Sequence, residues 1–400
     1  MVTNPDLEKL KLDKNYKLAY QVFHDILSSR CPGQSLLDRL YGTEKAVIIR
    51  RNIKEYLENN SDNKRILRPH NTVAPGEIAG ARLEIEKNKS YQEIHSSILS
   101  NKYPDKKYLR EFYGTYAEEV LKIIYLYVQL NLKRKCELNA AAHLSRVGAV
   151  VYKLKLNDKD SFRYSTIAVM HDSIEDLLTL TTASDGKGLD YFKYQNFVDK
   201  FIPAELQIPV KILTNHYNLF FKYINQKLEN EDKALNKKYL LKELESLNKQ
   251  DIGELKVYTE KMYNLTSNCE IEENVADTVK WECYKNLYLD GIAEATKIND
   301  DYRIYEIKGI DLSDNAHGKG ALSTEAKIRN INKNLMWGIK GYGMHSDWQP
   351  FNNHIEEIIE DSLLSAEQII MSDLLQPYSP MDFMVSALLK IKKLESVFYI

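Results

Sequence analysis

His171-Asp172 is followed one turn later by Glu175-Asp176, which puts an imidazole and three carboxylates within six residues. Read as one helix, His171 and Glu175 are i,i+4 neighbours, as are Asp172 and Asp176, and Asp172 and Glu175 are i,i+3. Ile167-Ala168-Val169-Met170 leads in and gives the helix an apolar back. Carboxylates this crowded repel one another unless a cation or a shared proton organises them. Imidazole and carboxylate donors together suit a divalent ion such as Zn, Mn or Fe. The competing account is a solvated helix end with chance charges. His24-Asp25 shows that the dipeptide alone also occurs elsewhere in the chain. The longer H-D-x-x-E-D pattern on an apolar-backed helix favours metal binding or catalysis.

One helix cannot close a metal's shell, so a further His and a further acid must come from elsewhere. His143 lies on the preceding predicted helix among Ala140, Ala141, Ala142 and Val147. Two antiparallel helices with a short connection would bring it beside His171-Asp172. The later acid is sought in Glu306 to Asn315, where Asp311 follows Gly309-Ile310 and Asn315 stands one turn beyond it.

The elements that must position these residues are helical throughout. The spacing predicts helices over most of residues 1–66 with a break at Pro32-Gly33, over 77–99, over 107–132 and from Ala140 onward. Residues 179–188 read as a loop, and 197–217 as helical around Pro203 and Pro209. The charged stretch 228–248 reads as a projecting helix or hairpin with a solvated face. Helices are expected again over 281–298, 304–315, 355–371 and 385–394. No strand-like alternation competes with them, so the fold is read as all-α. Lys+Arg 55 against Asp+Glu 57 gives a net charge of -2, so no global basic field points to DNA, RNA or an anionic membrane. The polar N-terminus and the short, interrupted apolar runs predict no leader and no membrane span. The cysteines Cys31, Cys136, Cys269 and Cys283 form no C-x-x-C pair, which fits a reduced, cytoplasmic protein without a Cys-based zinc site.

The order H…HD…D resembles the HD-domain metal phosphohydrolases, and within them the hydrolase domain of the RelA/SpoT family. Arg134-Lys135 stands ahead of His143 as in that family's R-K-(seven residues)-H box. Thr166-Ile167-Ala168 leads into His171-Asp172-x-x-Glu175-Asp176 as in its H-D-x-x-E-D box. Lys308-x-x-Asp311-x-x-x-Asn315 resembles its K-L-A-D-x-x-x-N box, and Val210-Lys211-Ile212-Leu213-Thr214 is similar to its V-T-K-L neighbourhood. The resemblance covers about residues 115–335. Cys136 to Ala140 departs from the family's S-G-E-P-Y segment, no Pro follows His143, and Gly318 replaces a small hydroxyl residue. The interval from Asp176 to Asp311 is longer than usual and implies an insertion over about 219–300. No segment resembles the family's synthetase domain or its regulatory C-terminal modules.

The resemblance implies an HD-type helical bundle over 111–335, flanked by a helical N-terminal region over 1–110 and a C-terminal helical region over 336–400. It implies that His143, His171, Asp172 and Asp311 hold one Mn²⁺, and that Glu175 and Asp176 manage the attacking water and the leaving-group proton. Arg134 would stack on a guanine base, Lys135 would lie near the base or phosphates, and Asn315 and Thr214 would line the nucleotide pocket. The alternative for Arg134-Lys135 is a cationic pair complementing a helix C-terminus. The implied activity is removal of the 3′-pyrophosphate from guanosine alarmones, without synthesis. Two other functions stay open: an HD phosphohydrolase or phosphodiesterase on another nucleotide, and a non-catalytic HD-derived binding protein.

Overall fold

In the computed structural model of the chain, description is continuous over residues 31–44 apart from some side chains, and over 76–134, 139–154, 159–182, 191–269 and 277–317. Single positions between 25 and 54 and between 330 and 362 are also described. Every named element among the described residues is a helix. The β structure among them is confined to an isolated bridge between Lys133 and Asn139. The all-α expectation holds.

The chain divides into two compact units, Glu77–Asp314 and a second made of Met1–Gly76 with Asn315–Ile400. In the second unit, Pro32-Gly33 leads into α1 (Gln34–Tyr41), with Gly33 as its N-cap. Trp337 and Ile358 are buried, and Asn334 Nδ2 donates to Ser362 Oγ at 2.9 Å. Most of the helices expected over 1–66, 355–371 and 385–394 lie outside the described residues.

The first unit opens with two helices where one was expected: α2 (Glu77–Lys87) and α3 (Lys89–Leu99). Asn88 separates them in extended backbone, and its side chain accepts from Tyr91 N at 2.9 Å. An Asn is better satisfied as an N-cap than inside a helix. The stretch expected over 107–132 also divides, into α4 (Lys106–Tyr113) and α5 (Ala117–Gln129), joined by a 3₁₀ turn over Gly114–Tyr116. Gly114 has φ +53, and the Phe162 ring lies 2.8 Å from where its Cβ would stand. A larger residue would meet both the backbone and the steric penalty.

At the centre of the unit are α6 (Ala140–Leu154) and α7 (Ser161–Met170). Both are buried on nearly every face, the property of a core helix. They approach closely at Gly148, where a Cβ would come within 2.5 Å of Val169 Cγ2. Ser165 Oγ donates to Gly148 O at 2.8 Å, which fixes the register of this contact, and Tyr113 OH of α4 donates to Ser145 O at 3.3 Å beside it. Next is α8 (Ser173–Thr182), whose last turn occupies residues 179–182, expected as loop.

The stretch over 197–217 is broken twice, giving α9 (Tyr191–Phe201), α10 (Ala204–Leu213) and α11 (His216–Glu231). Pro203 caps α10, and the Asn215 side chain accepts from Asn218 N to open α11. The charged segment over 228–248 holds the end of α11 and the first arm of a helical hairpin. α11 ends at Asp232 in the left-handed region, and α12 (Lys237–Asn248) folds against α13 (Leu255–Asn268), burying Leu240, Leu244 and Leu247. Three more helices follow: α14 (Asp277–Cys283), α15 (Asp290–Ile298) and α16 (Tyr302–His317). A π-helical segment, Tyr284–Leu289, joins α14 to α15.

Candidate metal centre

The expected single helix through H-D-x-x-E-D is interrupted at its chemistry. His171 and Asp172 form the joint between α7 and α8. Two side chains capture carbonyls of the last turn of α7: His171 Nδ1–H donates to Ala168 O at 2.6 Å, and Ser173 Oγ–H to Met170 O at 2.6 Å. Such side-chain bonds compete with helix continuation. Asp176 N still donates to Asp172 O at 2.9 Å, so the acid pair keeps its helical register with Asp172.

Because a carbonyl can only accept, the Ala168 bond fixes the His171 proton on Nδ1 and turns Nε2 toward the cluster. That Nε2 is buried and has no hydrogen-bond partner, although it lies 3.1 Å from Asp172 Oδ2 and 3.4 Å from Asp311 Oδ1. His143, on the first turn of α6, points its Nε2 at Asp311 Oδ1, 3.0 Å away. The two rings stand 6.0 Å apart, at 67° to each other. Ligand atoms of His143, His171, Asp172 and Asp311 all lie within 4.8 Å of one another. Nitrogen lone pairs and carboxylate oxygens this close require positive charge between them, either protons or a metal ion. An orphaned imidazole nitrogen facing two carboxylates and a second imidazole fits a divalent cation. The cluster resembles an HD-type metal-binding site carried by an all-helical domain. Its mixed N/O donors leave the identity of the metal open.

Local sequence explains the placement. Asn139 Oδ1 accepts from Ala141 N at 3.0 Å and starts α6, and Ala140 to Ala142 are small enough for the helix to bury His143 one residue later. Residues 304–314 of α16 are buried without interruption, so each charge among them needs a partner. Lys308 Nζ donates to Asp311 Oδ2 at 2.7 Å. Asp314 Oδ2 accepts from His143 Nδ1 at 2.6 Å, and its two oxygens take both Arg146 Nε, at 2.6 Å, and Arg146 Nη2, at 2.8 Å. Asp311 and Asp314, on successive turns of α16, therefore hold opposite edges of the His143 ring.

The electrostatics follow from these contacts. Burial would pull the His171 imidazolium down, but Asp172 and Asp311 outweigh it and push its pKa up to about 10. Burial pushes the Asp311 carboxyl up, yet Lys308 and then His171 hold it well below the usual carboxylate range. Glu175 behaves in the opposite way. Burial, and then the charge of Asp172, push it up to about 7 against the pull of Lys222. Asp176 is raised by the same two causes.

The acid pair lies beside the cluster, outside the set of converging ligand atoms. Glu175 Oε1 accepts from Asn218 Nδ2. Asp176 accepts from Tyr127 OH at 3.2 Å and from Lys222 Nζ at 3.4 Å, and Lys222 also donates to Glu175 O at 2.9 Å. Asn218 and Lys222 come from α11, where the expected insertion begins. The π-helical segment reaches Lys308 beside the cluster. Its Tyr288 ring lies 5.5 Å from Lys308 Nζ, and Tyr288 OH donates to Leu213 O. π-Helical turns of this kind recur at functional sites.

Of the expected nucleotide-binding residues, Arg134, Thr214 and Asn315 are among those described. Arg134 is half-buried in the loop between α5 and α6, and Lys135 lies outside the described residues. Thr214 is buried, with its hydroxyl donating to Val210 O at 2.8 Å. Asn315 lies one turn beyond Asp311 on α16 and belongs to the second unit; its carbonyl accepts from Asn330 Nδ2 at 3.5 Å. Sequence reasoning missed Asp314, Arg146, Asn218, Lys222 and Tyr127, and gave Lys308 no role. The i,i+3 spacings His143/Arg146 and Asp311/Asp314 were a usable signal for the first two. Nothing in the sequence links Asn218 or Lys222 to Glu175. No known family profile, curated protein or solved structure matches the chain.

Proposed function

We propose that the chain is a metal-dependent phosphohydrolase of the HD type acting on a nucleotide. The observation that carries this is the orphaned, buried Nε2 of His171, which faces His143, Asp172 and Asp311 with the Glu175-Asp176 pair alongside. Within that class we assign it the alarmone reaction: ppGpp plus water gives GDP plus pyrophosphate, and pppGpp gives GTP plus pyrophosphate, with no synthetase step. His143, His171, Asp172 and Asp311 would hold one divalent ion, Mn²⁺ in this reading. When bound, that ion supplies positive charge to a phosphoryl group under attack and makes water a better nucleophile.

The chain's own residues supply the rest. Glu175, held near neutrality by burial, takes a proton from the attacking water. Asp176, steadied by Tyr127 and Lys222, serves the leaving-group oxygen. Arg134 stacks on the guanine, Lys135 meets the base or phosphates, and Asn315 and Thr214 complete the nucleotide pocket. The hydrolase domain is placed over 111–335, with the insertion over about 219–300. No nucleic acid or membrane partner is assigned. Among the described residues no helix is long and apolar enough to cross a membrane.

One observation favours a second reading, hydrolysis of a different nucleotide. α11, which leads into the expected insertion, brings Asn218 and Lys222 onto the acid pair, a contact that would favour a different substrate beside the acids. A nucleotide panel with Mn²⁺ separates the readings. Release of GDP or GTP with pyrophosphate from the alarmones is expected. Hydrolysis of other nucleotides alone would replace the substrate assignment, and no hydrolysis of any would remove the enzymatic reading.

Arg134 offers a finer test. Arg134→Ala should raise KM for ppGpp roughly 2- to 30-fold, from a stacking energy of about 0.5–2 kcal/mol. The change in kcat should be small, the signature of uniform binding loss. Lys at this position should not rescue, since an ammonium lacks the planar face. Full rescue by Lys with unchanged base preference would mean that Arg134 does not read the base.

A further inference from the structure

We infer that Asp314, gripped by Arg146, is a positioning residue that holds His143 in its ligating orientation and so sets the divalent-ion affinity of the centre from outside the ligand shell. This rests on the metal-site reading above. Three features carry it. Asp314 is 3% exposed, and its Oδ2 lies 2.6 Å from His143 Nδ1, on the ring edge opposite the cluster. A carboxylate there accepts the Nδ1 proton and leaves the Nε2 lone pair for a metal, the outer-shell arrangement that fixes a ligating histidine's tautomer and ring plane. Arg146 binds both Asp314 oxygens, at 2.6 and 2.8 Å, in a bidentate fork. That geometry locks the carboxylate's orientation as well as neutralising it.

The support extends one layer further. Arg82 of α2 is 2% exposed; its Nε lies 3.8 Å from Asp314 Oδ1, and its Nη2 donates to Ser313 Oγ at 3.4 Å. Two arginines from different helices thus converge on the one buried carboxylate that also contacts the histidine at 2.6 Å. His143 and Arg146 are i,i+3 on α6, and Asp311 and Asp314 are i,i+3 on α16. Two turns of each helix therefore build both the ligand and its brace.

The test is the Mn²⁺ dissociation constant, measured by titration calorimetry for wild type, Asp314→Ala and Asp314→Asn. Thermal melting of the metal-free proteins and the visible spectrum of their Co²⁺-loaded forms accompany it. Asp314→Ala should weaken Mn²⁺ roughly 10- to 100-fold and change the Co²⁺ bands. Asp314→Asn should weaken it less, because an amide oxygen still accepts from Nδ1–H. A merely structural role predicts a lower melting temperature with unchanged affinity and spectrum in the folded Asn variant, and that result would overturn the inference. Wild type that binds no divalent ion would overturn the metal-site reading itself. A wild type that binds while both variants bind equally well would overturn the present inference alone. Should the variants fold poorly, imidazole ¹⁵N shifts of Zn²⁺-loaded wild type, assigned with His143→Gln, decide the matter. His143 should keep its proton on Nδ1 and coordinate through Nε2; coordination through Nδ1 contradicts the inference.

Discussion

Glu175 and Asp176 are sequence neighbours with different surroundings. Glu175 is held by Asn218, whereas Asp176 sits between a phenol and an ammonium. Neither belongs to the set of converging ligand atoms. The double variant Glu175→Gln/Asp176→Asn should keep metal and nucleotide binding and lose turnover by on the order of 10²–10⁴-fold, the usual size of a proton-transfer contribution. Loss of the metal in that variant would make these residues ligands instead. Glu175 must be deprotonated to accept a proton, so kcat/KM should rise with pH along a limb at or below about 7, since a cation beside Asp172 draws the raised value down. A limb well above 7 would contradict its role as base. His171 makes a complementary prediction. Without metal, its pKa of about 10 against the ordinary 6.5 means that the imidazolium stabilises the fold fully below about 6.5 and loses that contribution as pH climbs through about 10. A metal must displace this proton, so Mn²⁺ binding at a pH inside that window should release about one proton, read as a buffer-dependent binding enthalpy. Buffer-independent enthalpy would show that His171 does not ligate.

At the scale of elements, the centre depends on how closely α6 and α7 approach. His143 and the His171 joint are carried by these two helices, and Gly148 is their contact point. Gly148→Ala should cost about 1–3 kcal/mol by overpacking against Val169 and the Ser165 carbonyl. It should also weaken the metal, because the two imidazoles would be pushed apart. An unchanged melting temperature would show that the contact yields easily. Most of these helices were legible from apolar spacing, but their ends were less so. Asn88, Gly114 and Thr214-Asn215 each stop a helix through a cap, a left-handed backbone or a turn, and none of these alters the run of hydrophobic positions. The joint at His171-Asp172 was illegible for another reason. What interrupts the helix is a pair of side-chain bonds to carbonyls, and periodicity carries no trace of them.

Across the whole molecule, a near-neutral chain with net charge -2 buries His171, Lys308, Asp311 and Asp314 together at the centre, while Glu243 and Asp301 are buried elsewhere beside Lys227 and Arg303. His143, His171, Asp172 and Asp311 could be chosen from residue type and spacing because a metal shell requires specific donor atoms. Asp314 and Arg146 were harder to find, since an outer-shell brace needs only a carboxylate and a cation at the right distance. Asn218 and Lys222 reach the site through the tertiary path of α11, to which local sequence is blind. The central claim is that the His/His/Asp/Asp cluster holds one divalent ion, and metal analysis of the purified chain after loading with Mn²⁺ tests it most directly. About one ion per chain is predicted for wild type, with occupancy lost in both His171→Ala and Asp311→Ala. Unchanged occupancy in the two variants, or no ion in wild type, would contradict it.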